Sequence, residues 1–318
     1  MTIFVTGACG FIGLNLLRHL VVAHPEATVL AADLIEDDCL PKRGNCHFEK
    51  LDVRDRETCF RMFKRVKPTH FVHAAAVTIA DDTEACAQWM RAVNFDGTVN
   101  VLDAAADSDS IRRGIIVSSS AVYGTQRNVS DCVPCDESHP LNPTGSYANA
   151  KHDAELLMTL REATLGFPIV AARVGPVYGP FERMRPSRPR TSIIQQLLAA
   201  LLQERTVRIG GSDMHRDWTH ASDVAAALDN LLFAPDLAHR VYNVGSGDKV
   251  SSREIISLFT EQGLRVTWTD DLDHAEIVLS EQDSRAPLII ERLKRDTGFA
   301  PRFNIRSGIR ALVEGSPS

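Results

Sequence analysis

Thr2-Ile-Phe-Val-Thr-Gly7-Ala-Cys-Gly10-Phe11-Ile12-Gly13 opens the chain and decides its fold. Ile3–Thr6 is a short β-rich run, and apolar residues recur at helical spacing over Phe11–Val22. A strand that turns through glycines straight into a helix leaves the first helical N–H groups and the positive dipole end free for an anion. Glycine lets the backbone approach a diphosphate closely. The spacing is GxxGxxG. Asp33 ends the next apolar run, 20 residues after Gly13. A carboxylate there accepts hydrogen bonds from adenosine ribose hydroxyls and repels a 2′-phosphate, which predicts NAD rather than NADP.

Outward from this turn, strand-like runs (Thr28–Ala32, His47–Leu51, His70–His73, Gly114–Val117, Pro168–Ala172) alternate with helical ones (Arg56–Val66, Ala85–Ala106, Tyr147–Leu165). Short, continuously apolar strands between helices indicate a parallel sheet covered on both faces. The second half is less regular. Residues 179–190 carry three Pro and four Arg and read as a surface loop. Helices are expected at 192–203, 221–233, 252–262, 288–297 and 306–314, and strands at 207–209 and 241–244. The fold class is therefore α/β: a doubly wound, Rossmann-type sheet over residues 1–174, and a smaller α/β substrate domain over 175–318. Residues 221–245 are expected to return to the large sheet, leaving a cleft between the two.

The 318 residues are 44% hydrophobic and 24% charged, which excludes wholesale disorder. A net charge of −6 gives no general attraction to nucleic acid or anionic membranes. No apolar run is long enough to span a bilayer, and the N-terminus lacks the pattern of a secretory leader. Seven scattered cysteines suit a reducing cytoplasm. Cys132 and Cys135 form a lone CxxC, read as loop cysteines, and no metal site is expected.

Tyr147 and Lys151 stand four apart on one helical face. A lysine ammonium beside a phenol lowers its pKa and makes the tyrosine an acid/base near neutral pH. The run Ser118-Ser119-Ser120 follows a buried strand, at the sheet edge where ligands bind in open α/β folds.

Together, GxxGFIG, Asp33, Asp52-Val53, His73-Ala-Ala-Ala76, Asn94, SSSAVYG (118–124), YxxxK and Arg173 resemble the extended short-chain dehydrogenase/reductase family, rich in NAD-dependent epimerases and dehydratases of nucleotide sugars. VYGP (177–180), RDWTHASDVA (216–225) and YNVGSG (242–247) extend the likeness over nearly the whole chain. The resemblance implies that Tyr147 is the acid/base and that Lys151 tunes it and holds the nicotinamide ribose. It implies that Ser119, with Ser120, orients the substrate. Gly7, Gly10, Phe11, Ile12 and Gly13 would hold the cofactor, with Asp52 and Val53 at the adenine and Ala74, Ala75, Ala76, Asn94 and Val174 along it. Arg216 and Arg285 match arginines that pair with substrate phosphate. A homodimer through helices 85–106 and 147–165 is implied, with Trp89, Met90 and Leu157 as apolar positions.

In similar 4,6-dehydratases an Asp-Glu pair follows the serine/threonine; here the positions are Ser120 and Ala121. That favours a 4-epimerase, which oxidises C4 and returns hydride to the other face. Pro176 stands where nucleotide-sugar enzymes carry an asparagine, which leaves open an NAD-dependent dehydrogenase of a sugar acid or polyol. Arg183, Arg185, Arg188 and Arg190 could then hold a substrate carboxylate or phosphate.

Overall fold

The computed structural model describes residues 1–79, 81, 83–124 and 133–315. Six strands, β1 (Thr2–Thr6), β2 (Thr28–Asp33), β3 (Cys46–Lys50), β4 (His70–His73), β5 (Arg113–Ser119) and β6 (Ile169–Val174), join Val241–Val244 in one parallel sheet. Its spatial order is Val241–Val244, β6, β5, β4, β1, β2, β3. The chain leaves β1 toward β2 on one side and later fills the other side from β4. The strand order therefore reverses between β1 and β4, and a crevice opens there at the C-terminal edge.

Every side chain of β6 is buried, as a central parallel strand with two covered faces requires. On one face α1 (Phe11–Ala23) packs against a later helix, Ala221–Phe233. On the other lie α2 (Arg56–Val66), α3 (Glu84–Arg91), α4 (Gly97–Ala106) and α5 (Gly145–Leu165). The single helix expected over 85–106 is broken by a π-helical turn, Ala92–Asp96. A Cβ on Gly97 would lie 2.7 Å from Val53 Cγ2, so α4 sits hard against the segment after β3.

The glycines of the first turn are required by packing alone. Gly7 has φ +66°, and a Cβ there would meet Ala75 N at 2.4 Å. A Cβ on Gly13 would meet Gly7 O at 2.2 Å. The turn is thereby clamped onto the backbone that leaves β4.

The C-terminal part builds its own core from Tyr178, Ile194, Leu197, Ile209, Trp218, Phe259 and Ile309, around parallel strands Arg265–Trp268, Thr206–Gly211 and Ile277–Leu279. The helix expected over 288–297 begins only at Glu291. Leu288 is engaged beforehand: it bridges to Cys135 and donates its N–H to Asp217 Oδ2 at 2.9 Å. Cys135 is buried, and Cys132, the other half of the CxxC, lies outside the described residues. Among the described residues no helix is long and apolar enough to cross a membrane.

Candidate active site

A cavity of about 440 Å³ lies at the C-terminal edge of β1, β4, β5 and β6. Gly7, Gly10, Phe11, Ile12 and Gly13 form one wall. Gly10 caps α1 without a side-chain hydrogen bond, so the first-turn N–H groups have no side-chain acceptor at the cap. Ala74, Ala76, Thr78 and Val174 continue the wall toward Ser119, Tyr147 and Lys151.

Ser119 ends β5 and caps a short 3₁₀ turn, Ser120–Tyr123, accepting from Ala121 N at 3.2 Å. Its side chain lines the cavity together with Tyr147. Tyr147 lies in the first turn of α5, and Lys151 follows one turn later, 3% exposed. Burial pushes the Tyr147 phenol above its ordinary value, opposed by the Ser119 hydroxyl and the positive charge of Arg188. The spacing in sequence assigns that lowering to Lys151 instead. In the structure Nζ donates to Val117 O at 2.8 Å and stands 5.9 Å from the Tyr147 ring centroid. Burial brings Lys151 itself down to about 8, offset in part by Glu155.

Beneath this triad is a buried polar network. Ser118 Oγ donates to Glu155 Oε1 at 2.5 Å. Glu155 receives Arg173 through Nε at 3.1 Å and Nη2 at 2.7 Å. Arg173 Nη1 donates to Tyr123 Oη at 3.0 Å, and Tyr123 donates to Asn243 Oδ1 at 2.7 Å. Arg173 and Glu155 are 4% and 5% exposed. Arg173 belongs to the motif, but sequence reasoning misses its carboxylate partner Glu155 and the Asn243 amide that accepts from Tyr123. An acidic residue one turn beyond Lys151 on the same face is the available clue.

At the far end, Arg216, Arg285, Trp218 and Pro176 close the cavity. Arg216 Nε donates to Asp283 O at 2.9 Å, and burial together with the Arg285 charge lowers its pKa to about 10. Its neighbour Asp217 is fully buried and accepts from Ser246 N at 2.8 Å, Gly247 N at 3.1 Å and Leu288 N.

The 179–190 loop is not a freely solvated segment. Phe181, Arg183, Arg185, Ser187, Arg188 and Arg190 all line the cavity. Arg183 and Arg185 pair with Asp37, holding its carboxyl down at about 2 against its burial.

Five positions expected at the cofactor do not line this cavity. Asp33 ends β2 next to the glycine turn, accepting from Cys9 N at 2.9 Å and Leu34 N at 2.7 Å; burial raises its pKa. Asp52 pairs with Arg54 at 2.6 Å, and Val53 is buried against Gly97. Ala75 is the backbone on which Gly7 rests. Asn94, fully buried in the π turn, accepts from Val77 N at 2.8 Å and donates to Val77 O at 2.9 Å. Its amide fastens the loop after β4, because a turn that has left the sheet needs another partner for its backbone groups.

The cavity thus brings together a glycine turn at a helix N-terminus, a Ser–Tyr–Lys set and a cationic far end. Residues 3–245 match the family model described as NAD dependent epimerase/dehydratase family, and the chain belongs to that family of NAD-dependent enzymes. It is 28% identical over 325 residues to the dTDP-glucose 4,6-dehydratase of Streptomyces griseus, spanning 98% of this chain and 92% of the relative. It superposes with a TM-score of 0.82, at 25% identity, on the UDP-glucose 4-epimerase of Thermus thermophilus in complex with NAD, covering 99% of this chain and 98% of that one. A complex of MoeE5 with UDP-glucuronic acid and NAD gives a TM-score of 0.80 at 26% identity, covering 99% and 98%.

Proposed function

We propose that the protein is an NAD-dependent epimerase of a nucleotide sugar, acting at C4. One observation carries the choice of chemistry: among the described residues, no carboxylate, imidazole or thiol lines the cavity. Eliminating water from a sugar needs an acid and a base beyond the tyrosine. Here Ser120 and Ala121 follow Ser119, and among the described residues the ionisable side chains lining the cavity are Tyr147, Lys151 and arginines. Epimerisation needs no more. Similarity to a 4,6-dehydratase supports the sugar class, and the bare wall argues against its elimination step.

When bound, NAD would supply a hydride acceptor and donor for the sugar carbon. Gly7, Gly10, Gly13, Phe11 and Ile12 would hold its diphosphate at the α1 N-terminus, and Asp33 would accept from its adenosine ribose. Ala74, Ala76 and Val174 would flank it, while Asp52, Val53, Ala75 and Asn94 shape the walls from behind. Ser119 and Ser120 orient the C4 hydroxyl. Tyr147 takes its proton as the hydride leaves and returns it after the keto sugar has turned over. Lys151 holds the nicotinamide ribose. Arg216 and Arg285 grip the nucleotide diphosphate, leaving the sugar free to rotate.

The test is mass-resolved chromatography after incubation with NAD and a panel of nucleotide sugars and free sugar acids. The expected result is a new peak of unchanged mass. Tyr147→Phe should cut its formation by roughly a hundred- to ten-thousandfold. A product lighter by two hydrogens with NADH accumulating would instead make Pro176 the mark of a dehydrogenase.

The homodimer is part of the same proposal, with one adjustment. Met90 is fully buried and belongs to the core, whereas Leu156 and Leu160, one turn apart on α5, are 49% and 82% exposed. Light scattering of Leu160→Asp should show a shift toward monomer.

A further inference from the structure

The 179–192 segment crosses the cavity and is fastened on three sides. Pro180 O accepts from Asn15 Nδ2 of α1 at 2.9 Å. Arg183 and Arg185 pair with Asp37 in the segment after β2. Ser187 O accepts from Thr78 N, beyond β4, at 2.7 Å.

Within this strap the four arginines differ. Arg183 and Arg185 are engaged outward on one carboxylate. Arg188 turns inward, its Cζ 5.3 Å from the ring centroid of Phe11, the first residue of α1. Its Nη2 donates to Glu182 Oε1 at 2.7 Å. The Glu182 side chain is wholly shielded, and it also accepts from Ser192 N and Ser192 Oγ, each at 2.7 Å. The guanidinium is therefore aimed by a fixed carboxylate. Its Nε is buried and has no hydrogen-bond partner among the described residues. An orphaned, charged N–H in a cavity wall is a costly feature unless a ligand atom satisfies it.

We propose that Arg188 is a diphosphate-binding residue for the cofactor, closing over the anion held by the glycine turn, and that the Asp37 ion pairs latch the strap that carries it. The inference rests on the NAD reading above. Arg188 lines the same cavity as the glycine turn and Tyr147, with its guanidinium over the Phe11 ring at the start of α1. A guanidinium bonded to phosphate oxygens gives a charge-assisted hydrogen bond. A strap pinned at Asp37 would slow the release of a cofactor that must stay through both hydride transfers.

Isothermal titration of the full chain with NAD, repeated over a range of salt concentrations, tests this. Arg188→Met is expected to weaken binding roughly tenfold to a hundredfold. It should also flatten the dependence of log Kd on salt, because a screened charge contact is gone. Arg188→Lys, which keeps the charge, should recover most of the affinity. An unchanged Kd in Arg188→Met, or a loss with an unchanged salt dependence, would overturn the proposal, the latter marking a collapsed strap. If the unaltered protein does not bind NAD, the cofactor reading itself fails, and the outcomes are thereby separable.

Discussion

The floor and the roof of the cavity are both built on arginine–carboxylate pairs, and they are built oppositely. In the floor, Arg173 and Glu155 are almost completely buried, and their side-chain bonds lead on to further buried side chains, Ser118 and Tyr123, and from Tyr123 to Asn243. In the roof, Arg183 is 43% exposed where it pairs with Asp37. A buried pair is expensive to break because it leaves a charge without water, whereas an exposed pair is screened and contributes little. The floor should therefore set stability and the alignment of Ser119 and Tyr147. The roof should govern what enters and leaves.

Glu155→Ala should break the comparison most severely. Leaving Arg173 buried without its carboxylate is expected to cost about 3–5 kcal/mol of unfolding free energy in urea. If Arg183→Ala costs as much, the floor and roof are not different in kind.

Acid should act on the parts of the fold held by buried imidazoles before it acts on the strap. His73 sits between Thr6 Oγ1 at 2.7 Å and Thr98 Oγ1 at 3.0 Å, and burial lowers it to about 3. His70 and His220 are lowered to about 4 by burial. These values lie below the ordinary 6.5 of the unfolded chain, so unfolding takes up protons between them. Stability should then fall as pH drops from about 6.5 toward 4. Asp37, held at about 2, keeps its arginine pairs intact through that window. Thermal unfolding across pH checks this, and a flat midpoint from neutral to pH 4 would contradict it.

The smallest effect on stability is expected from Asp37→Asn, less than about 1 kcal/mol. Its consequence should be local: trypsin should cut faster in the strap, after Arg183 or Arg190, the two arginines there not followed by proline, with the rest of the chain protected. Unaltered cleavage would mean that Asp37 does not fasten the strap.

Much of the floor's upper surface is legible in sequence. Gly7 to Gly13, Ser119, Tyr147 and Lys151 act through short spacings that helix and strand periodicity carry directly. What lies beneath is not legible, because Glu155, Arg173 and Asn243 come together only after strands distant in sequence have paired, as the Asn243↔Arg173 register and the Glu155 contacts require. The strap reads as a solvated loop for a similar reason. Its Pro and Arg content matches a surface segment, and nothing local shows that Asp37 and Glu182 draw two arginines outward and one inward. Resemblance places Asn94 near the cofactor, while its hydrogen bonds to Val77 follow from a π turn that no periodicity announces.

The central claim is that a cavity wall with no carboxylate among the described residues returns hydride to the carbon it came from. The most direct measurement uses a nucleotide hexose deuterated at C4, incubated with the protein and NAD and followed by mass spectrometry and proton NMR. The account predicts an epimer of unchanged mass that keeps deuterium at C4. A product that has lost water, or deuterium found on the nicotinamide with NADH accumulating, would contradict it.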